Sequence, residues 1–132
     1  MIAHLTQGSN DMHRSIRFYD AFLDPLGISR RAQEAAQDEI MVCYKTESSA
    51  SPLLFIVKPI NEQVATSGNG AMVAFQATSA SQVDQCYEAG MSNGGVDEGK
   101  PGPRPQYSQG YYGAYLRDPD GNKVHIVYRS DG

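Results

Sequence analysis

The side chains best suited to chemistry are concentrated near the end of this sequence. Arg104 has a guanidinium group that could bind a carboxylate or a phosphate through two parallel hydrogen bonds. An exposed surface arginine and well-packed strand tyrosines are the simpler interpretations of this region. Four tyrosines follow Arg104 and offer aromatic surface and hydroxyl groups to a ligand: Tyr107, Tyr111, Tyr112 and Tyr115.

The composition excludes several classes of partner. The chain has 132 residues and a formal net charge of −4, and its basic residues form no run, so we expect no binding to nucleic acid or to an anionic membrane. No apolar stretch approaches the roughly 18 residues of a membrane span. Cys43 and Cys86 lie in apolar surroundings without a CxxC spacing, and we interpret them as buried thiols. The N-terminus lacks a signal-peptide pattern, so we expect a cytoplasmic protein.

The elements that must position these side chains follow a strand and helix pattern. A strand is predicted at residues 2–8, and residues 9–11 offer helix N-cap side chains. The next helix is marked by apolar residues in steps of four and three, and Pro25 and Gly27 end it. Its apolar face is formed by Met12, Ile16, Tyr19, Leu23 and Leu26.

Further elements follow by the same criteria. A second helix has Val83, Tyr87 and Met91 on one face. We expect a strand at 28–37 although its composition favours helix, because the equivalent part of the second half looks strand-like. The Gly/Pro-rich stretch 99–105 is predicted not to be regular throughout. Additional strands are predicted at 40–44, 53–57, 71–77, 111–116 and 123–128, the last two joined by a turn at 118–121.

The order strand, helix, strands occurs twice. Residues 4–7 align with residues 72–75 at an offset of 68, at which Tyr19 also meets Tyr87. Residues 53–57 align with residues 123–127 at an offset of 70. The chain therefore contains two copies of one structural unit, and we expect any function in the space that they enclose.

The motifs in this order are similar to those of the vicinal oxygen chelate superfamily, which includes glyoxalase I, bleomycin-resistance proteins and extradiol dioxygenases. The resemblance implies an α+β fold with two βαβββ modules, at about residues 1–60 and 70–132 of a single domain. Their curved mixed sheets would surround a cavity for a small molecule, with the helices packed outside. It also implies a homodimer. The segments that carry it are residues 2–5, 9–19, 26–27, 70–75 and 111–125.

The resemblance also implies where a metal would bind. Metal-binding members hold one divalent ion, such as Zn, Ni, Mn or Fe, with four inward side chains. The corresponding positions here are His4, Phe55, Met72 and His125. Only His4 and His125 are suitable ligands, because Phe55 has no donor atom and the Met72 thioether prefers soft ions. Divalent sites normally need three or more protein ligands, so the expected metal site is degenerate.

Three hypotheses for function follow. The first is a lyase-like or dioxygenase-like enzyme with an atypical metal site, for which the sequence identifies no catalytic residue. The second is a metal-independent protein that binds a small molecule, as bleomycin-resistance members do. The third is a non-catalytic dimeric subunit. For the ligand pocket, strand alternation predicts Ala114 and Leu116 on the same face as His125, and the expected pocket residues are Phe55, Met72, Arg104, Tyr107 and Tyr112.

Overall fold

A computed structural model describes residues 1–131. The first half begins with a strand and a long helix, which a 3₁₀ turn (Asp24–Leu26) separates from the remaining strands. In chain order, its elements are β1 (His4–Gly8), α1 (Met12–Leu23), β2 (Ile28–Arg30), α2 (Ala35–Asp38), β3 (Met41–Thr46) and β4 (Leu53–Val57).

The second half repeats this order without the short helix. Its long strand next to the hairpin is irregular, as described below. The elements are β5 (Val73–Gln76), α3 (Ala80–Ser92), β6 (Val96–Pro103), β7 (Tyr111–Arg117) and β8 (Lys123–Arg129).

Each half forms one four-stranded mixed sheet. The strand orders are β1-β4-β3-β2 and β5-β8-β7-β6, so the first and last strands of each half run parallel as neighbours. Thr6 lies opposite Phe55 in the first sheet, and Ala74 lies opposite His125 in the second. These pairs are related by the offsets of 68 and 70 found in the sequence. The predicted α+β fold with two repeated units is confirmed.

Both long helices begin with a capping side chain, and that of α1 lies within the predicted residues 9–11. The Asp11 carboxylate accepts a hydrogen bond from the Arg14 backbone N–H at 3.1 Å, and the Ser79 hydroxyl accepts one from the Gln82 N–H at 3.1 Å. These contacts satisfy backbone donors that the first helical turn leaves unpaired. At the end of α1, Gly27 adopts a left-handed conformation with φ of 72°, which glycine takes without steric cost.

The two long helices pack together and against one face of each sheet. Phe22 of α1 meets Phe75 of β5 with ring centroids 5.8 Å apart, and Tyr19 meets Tyr44 of β3 at 6.0 Å. Both halves therefore share one apolar core. We call the sheet faces turned toward the helices the helix faces and the opposite ones the open faces. Because strand residues alternate, His4 and Phe55 lie on the open face of the first sheet and His125 on that of the second.

The loop between β7 and β8 fixes the second hairpin to the first half. The Tyr19 hydroxyl donates to the Asp118 carboxylate at 2.6 Å, and the Asn122 side-chain amide donates to the Gly8 carbonyl at 3.0 Å. Burial raises the pKa of both Tyr19 and Asp118. These contacts hold the start of β8 in place, and β8 carries His125.

Two segments differ from the sequence predictions. Of residues 28–37, only Ile28–Arg30 form a strand, because Ala35–Asp38 follow their helical propensity. Arg30 stabilises this arrangement by donating to Asp38 at 3.2 Å. Within the Gly/Pro-rich stretch, residues 99–103 belong to β6, but the pairing of β6 with β7 shifts register twice between Asp97 and Gly102. Bulges of this kind accommodate glycines within a strand.

Candidate functional site

His125 is a fully buried polar residue on the open face of the second sheet. Its side chain has no solvent exposure. Nδ1 lies 2.8 Å from the Ala114 carbonyl oxygen and must donate its hydrogen there, because a carbonyl only accepts. In the neutral ring Nε2 is then an acceptor, and the Tyr111 hydroxyl donates to it at 2.7 Å. Both ring nitrogens of His125 are thus engaged within the protein.

His125 is part of a layer of aromatic rings, which we call the aromatic layer and define as Tyr111, Tyr115 and His125. The Tyr115 ring stacks on the imidazole with centroids 4.0 Å apart and planes at 8°. The Tyr111 ring lies at 5.8 Å with its plane at 13°. Gly113 makes this arrangement possible, since a Cβ there would lie 2.5 Å from His125 Cε1. The glycine therefore leaves the space that the imidazole fills.

The electrostatic surroundings keep His125 neutral. Burial lowers the pKa of His125, and the positive charges of Arg104, Lys123 and Arg129 lower it further. The hydrogen bond to the Ala114 carbonyl acts in the opposite direction without offsetting burial. A neutral ring is the form that can accept the Tyr111 hydrogen bond. Geometry and charge thus support the same protonation state.

The neighbouring phenol is also kept in its neutral form. Burial, assisted by a hydrogen bond with Tyr107, raises the pKa of Tyr115 to about 12. Tyr107 is 61% exposed, and its ring centroid lies 5.2 Å from that of Tyr111. It therefore lies at the border of the aromatic layer, consistent with its predicted place near the pocket.

Two cavities flank the aromatic layer on the open face of the second sheet. One of about 150 Å³ is lined by Ala74, Gln76, Val127 and Arg129. The other, of about 700 Å³, lies at the hairpin end of the sheet. Its lining comprises residues 67–72, Arg117, Gly121 and Lys123, and it includes the predicted pocket residue Met72.

The open face of the first sheet has a different character. His4 is exposed and contacts Phe55, with ring centroids 5.2 Å apart and planes at 90°. Within residues 1–131 its imidazole forms no hydrogen bond. The neighbouring positions on this face are mainly apolar: Met41, Cys43, Leu53 and Val57.

The structure corrects the predicted face of three residues. Tyr112 is on the helix face, where its hydroxyl donates to Asp84 of α3 at 2.7 Å, so it does not line the open face. Ala114 and Leu116 are fully buried in the core. The residues that sequence reasoning missed are Gly113, Lys123 and Arg129. Gly113 and Lys123 lie two residues from Tyr115 and His125, and Arg129 lies four residues from His125, so strand alternation was the available signal.

The two histidines of the expected metal site lie in different sheets. His4 is in the first sheet and His125 in the second, and no strand pairing joins the two sheets in the described residues. The space between the sheets holds an apolar cavity of about 370 Å³, which neither histidine lines.

The donor set does not fit a divalent ion. In the neutral ring of His125, the available lone pair is on Nε2, which accepts the hydrogen bond from Tyr111. Phe55 has no donor atom. No group of three or more His, Cys, Asp or Glu side chains among residues 1–131 is placed to hold a metal. His4 alone would give a single ligand, fewer than such sites use.

Comparison with known proteins identifies the family. Residues 1–126 match the Glyoxalase/Bleomycin resistance protein/Dioxygenase superfamily, and the chain belongs to it. A crystal structure of a glyoxalase/bleomycin resistance protein from Albidiferax ferrireducens is 40% identical, with a TM-score of 0.82 over 98% of both chains. A search of curated proteins gave no match.

More distant structures agree in fold. A glyoxalase-related enzyme from Fulvimarina pelagi is 19% identical, with a TM-score of 0.74 over 98% of this chain and 88% of the other. A lactoylglutathione lyase from Agrobacterium tumefaciens is 20% identical, with a TM-score of 0.63 over 97% and 92%. At these identities the likeness concerns the fold alone. No helix within residues 1–131 is long and apolar enough to cross a membrane.

Proposed function

We propose that this protein binds a small organic molecule on the open face of its second sheet, without a divalent ion. The observation that carries the proposal is the state of His125. Its two nitrogens are occupied by the Ala114 carbonyl and the Tyr111 hydroxyl. The fully buried imidazole therefore supports the partly exposed rings of Tyr111 and Tyr115. These two rings give the ligand an aromatic surface, as is common in small-molecule pockets with few polar groups.

The lyase-like or dioxygenase-like activity ranks second. The four family positions supply no carboxylate, which could serve as a base or as a third ligand. One of the two histidines has no free lone pair in its neutral form. A non-catalytic subunit ranks third, because the open face of the second sheet has preformed cavities that such a role does not need.

We further propose that the ligand site is completed by a second copy of the chain. Phe55, Leu53 and Val57 give the first sheet an apolar open face, and Met41 on it is 44% exposed. Exposed apolar patches of this kind are typical of protein interfaces. In a homodimer, this face would cover the aromatic layer of the partner copy. We place the protein in the cytoplasm, where its buried thiols would remain reduced.

Two measurements test the proposed function. Elemental analysis of protein purified without added metal is expected to find less than one divalent ion per chain. Stoichiometric Zn, Ni, Mn or Fe that is lost on His4→Ala would overturn the metal-independent mode.

In a thermal-shift screen, small aromatic and dicarbonyl-derived compounds are expected to raise the melting temperature, because ligands stabilise the state that they bind. Tyr115→Leu should abolish these shifts, whereas the matched variant Tyr112→Phe, on the helix face, should retain them. A screen without hits would favour the subunit hypothesis.

A further inference from the structure

The aromatic layer is surrounded by cations. Lys123 Nζ lies 5.1 Å from the Tyr115 ring centroid, and Arg104 Cζ lies 5.7 Å from it. Arg129 Cζ lies 5.6 Å from the Tyr111 ring centroid. Such distances are within the range of cation–π attraction. Three positive charges thus converge on one face of a chain whose net charge is −4.

These three cations have no carboxylate partner in the part of the chain that the structure describes. The ion pairs of residues 1–131 do not include Arg104, Lys123 or Arg129. By contrast, Arg117 on the same face donates to the Glu98 carboxylate at 2.9 Å. The protein thus neutralises one cation of this face and leaves the other three for an external anion.

Arg104 is held in place by neutral acceptors. Its Nη2 donates to the Lys100 carbonyl at 2.6 Å, and its Nη1 donates to the Pro103 carbonyl at 3.2 Å. These bonds fix the guanidinium but leave its charge uncompensated, and three of its five N–H donors stay available. An arginine positioned in this way is prepared to bind a carboxylate, since little side-chain entropy remains to be lost.

Two glycines of β6 provide the room for this arginine. A Cβ at Gly102 would lie 3.2 Å from Arg104 Nη1. At Gly99, it would lie 3.4 Å from Nη2 and 2.9 Å from Cδ2 of Tyr115. The glycines in the irregular strand thus permit the close approach of the guanidinium and the tyrosine ring. Two backbone carbonyls, two glycines and the Tyr115 ring thus all fix the position of the Arg104 guanidinium.

From these contacts, we infer that the ligand is an anionic aromatic molecule, a planar ring that carries a carboxylate. Arg104 and Lys123 bind the carboxylate, and the ring lies against the aromatic layer. The adjacent cavity of about 150 Å³ is lined by Ala74, Gln76, Val127 and Arg129, and its volume is about that needed by a single aromatic ring. This inference rests on the proposed function and deepens it by naming the ligand class.

Isothermal titration calorimetry with two isosteric probes tests the inference. We expect 2-naphthoate to bind about tenfold more tightly than neutral 2-naphthamide, because hydrogen bonds between charged partners are about twice as strong as neutral ones. Arg104→Gln should remove most of this preference, because only Lys123 then faces the carboxylate. The matched variant Arg17→Gln, which removes an exposed arginine of α1, should retain it.

The outcomes separate this inference from the proposed function. Equal affinity for the two probes, or the same loss in Arg17→Gln, would overturn the anion assignment and leave aromatic binding intact. Failure of both probes to bind would overturn both. The preference should also shrink on going to 1 M salt, because salt screens exposed charges.

Discussion

The two open faces of this protein occupy equivalent positions in a repeated fold but have opposite chemical character. Cys43 and Phe55 are paired across β3 and β4, and Tyr115 and His125 are the equivalent pair across β7 and β8. The first pair contributes to an apolar surface, and the second forms a hydrogen-bonded aromatic layer among cations. The repeat thus provides one scaffold with two surfaces, one suited to a protein interface and the other to a ligand.

The neighbouring pair shows how small the determining difference is. Met41 lies opposite Val57 in the first sheet, and Gly113 lies opposite Val127 in the second. In the first sheet, the Met41 side chain covers this part of the face. In the second sheet, Gly113 has no side chain, and the His125 imidazole fills the space. Equivalent strand pairings thus carry an apolar surface in the first sheet and a buried histidine in the second.

The largest expected effect comes from placing a charge on the apolar face. Phe55→Lys should weaken the proposed dimer by about 3 kcal/mol, roughly a hundredfold in dissociation constant, because the interface would bury an unpaired ammonium group. Sedimentation equilibrium measures the change. Gln85 is an exposed residue of α3, so Gln85→Lys adds the same charge away from the open faces and should leave the dimer intact. A dimer unaffected by Phe55→Lys would show that the first open face is not the interface.

The glycine of the second face is the next test. Gly113→Ala should lower the free energy of unfolding by about 1–3 kcal/mol, a cost typical of overpacking, because its Cβ would lie 2.5 Å from His125 Cε1. Urea denaturation measures this loss. At the equivalent position, Met41→Ala should cost under about 0.5 kcal/mol in the Phe55→Lys background, because Met41 is a surface residue when the proposed dimer is broken. Equal costs at the two positions would contradict the proposed difference between the faces.

The His125 pKa gives a pH-dependent version of the comparison. Since the pKa of His125 is lowered in the folded protein, the unfolded chain binds more protons between the two pKa values. The contribution of His125 to the free energy of unfolding is therefore fully present above about pH 6.5 and decreases as the pH falls below this value. His125→Asn should flatten this decrease in urea titrations from pH 7 to 5. An unchanged slope in His125→Asn would contradict the assignment.

The sequence predicted the repeat because residue offsets survive even at low identity. It could not predict which face the tyrosines occupy. A four-residue turn at 118–121 places Ala114 opposite His125, whereas Asn122 also belongs to the loop and shifts the pairing to Tyr115. The Asp118 carboxylate accepts from the Asn122 N–H at 2.9 Å. A one-residue change in a hairpin loop exchanges the two faces of a strand.

Two further features that the sequence did not predict are the position of the Arg104 guanidinium and the early end of β2. Arg104 was a candidate by residue type, but only the register shifts of β6 bring its guanidinium over Tyr115. The strand expected at 28–37 was limited by a helix that Arg30 and Asp38 help to hold. At 28–37 the helical propensity of residues 35–38 was a better guide than the repeat. The position of Arg104, by contrast, depends on the pairing of β6 with the distant strand β7.

The smallest expected effect separates two adjacent tyrosines on opposite faces. Tyr111→Phe removes the donor to His125 Nε2 and should cost about 1 kcal/mol, because it leaves a buried acceptor without a partner. Tyr112→Phe removes the bond to Asp84, which is exposed, and should cost at most about 0.5 kcal/mol. Urea denaturation compares the two, and nitrogen chemical shifts of the imidazole report whether Nε2 loses its hydrogen bond. A change at Nε2 in Tyr112→Phe, or none in Tyr111→Phe, would contradict the assignment of Tyr111 as the residue that occupies the histidine lone pair and so keeps it from a metal.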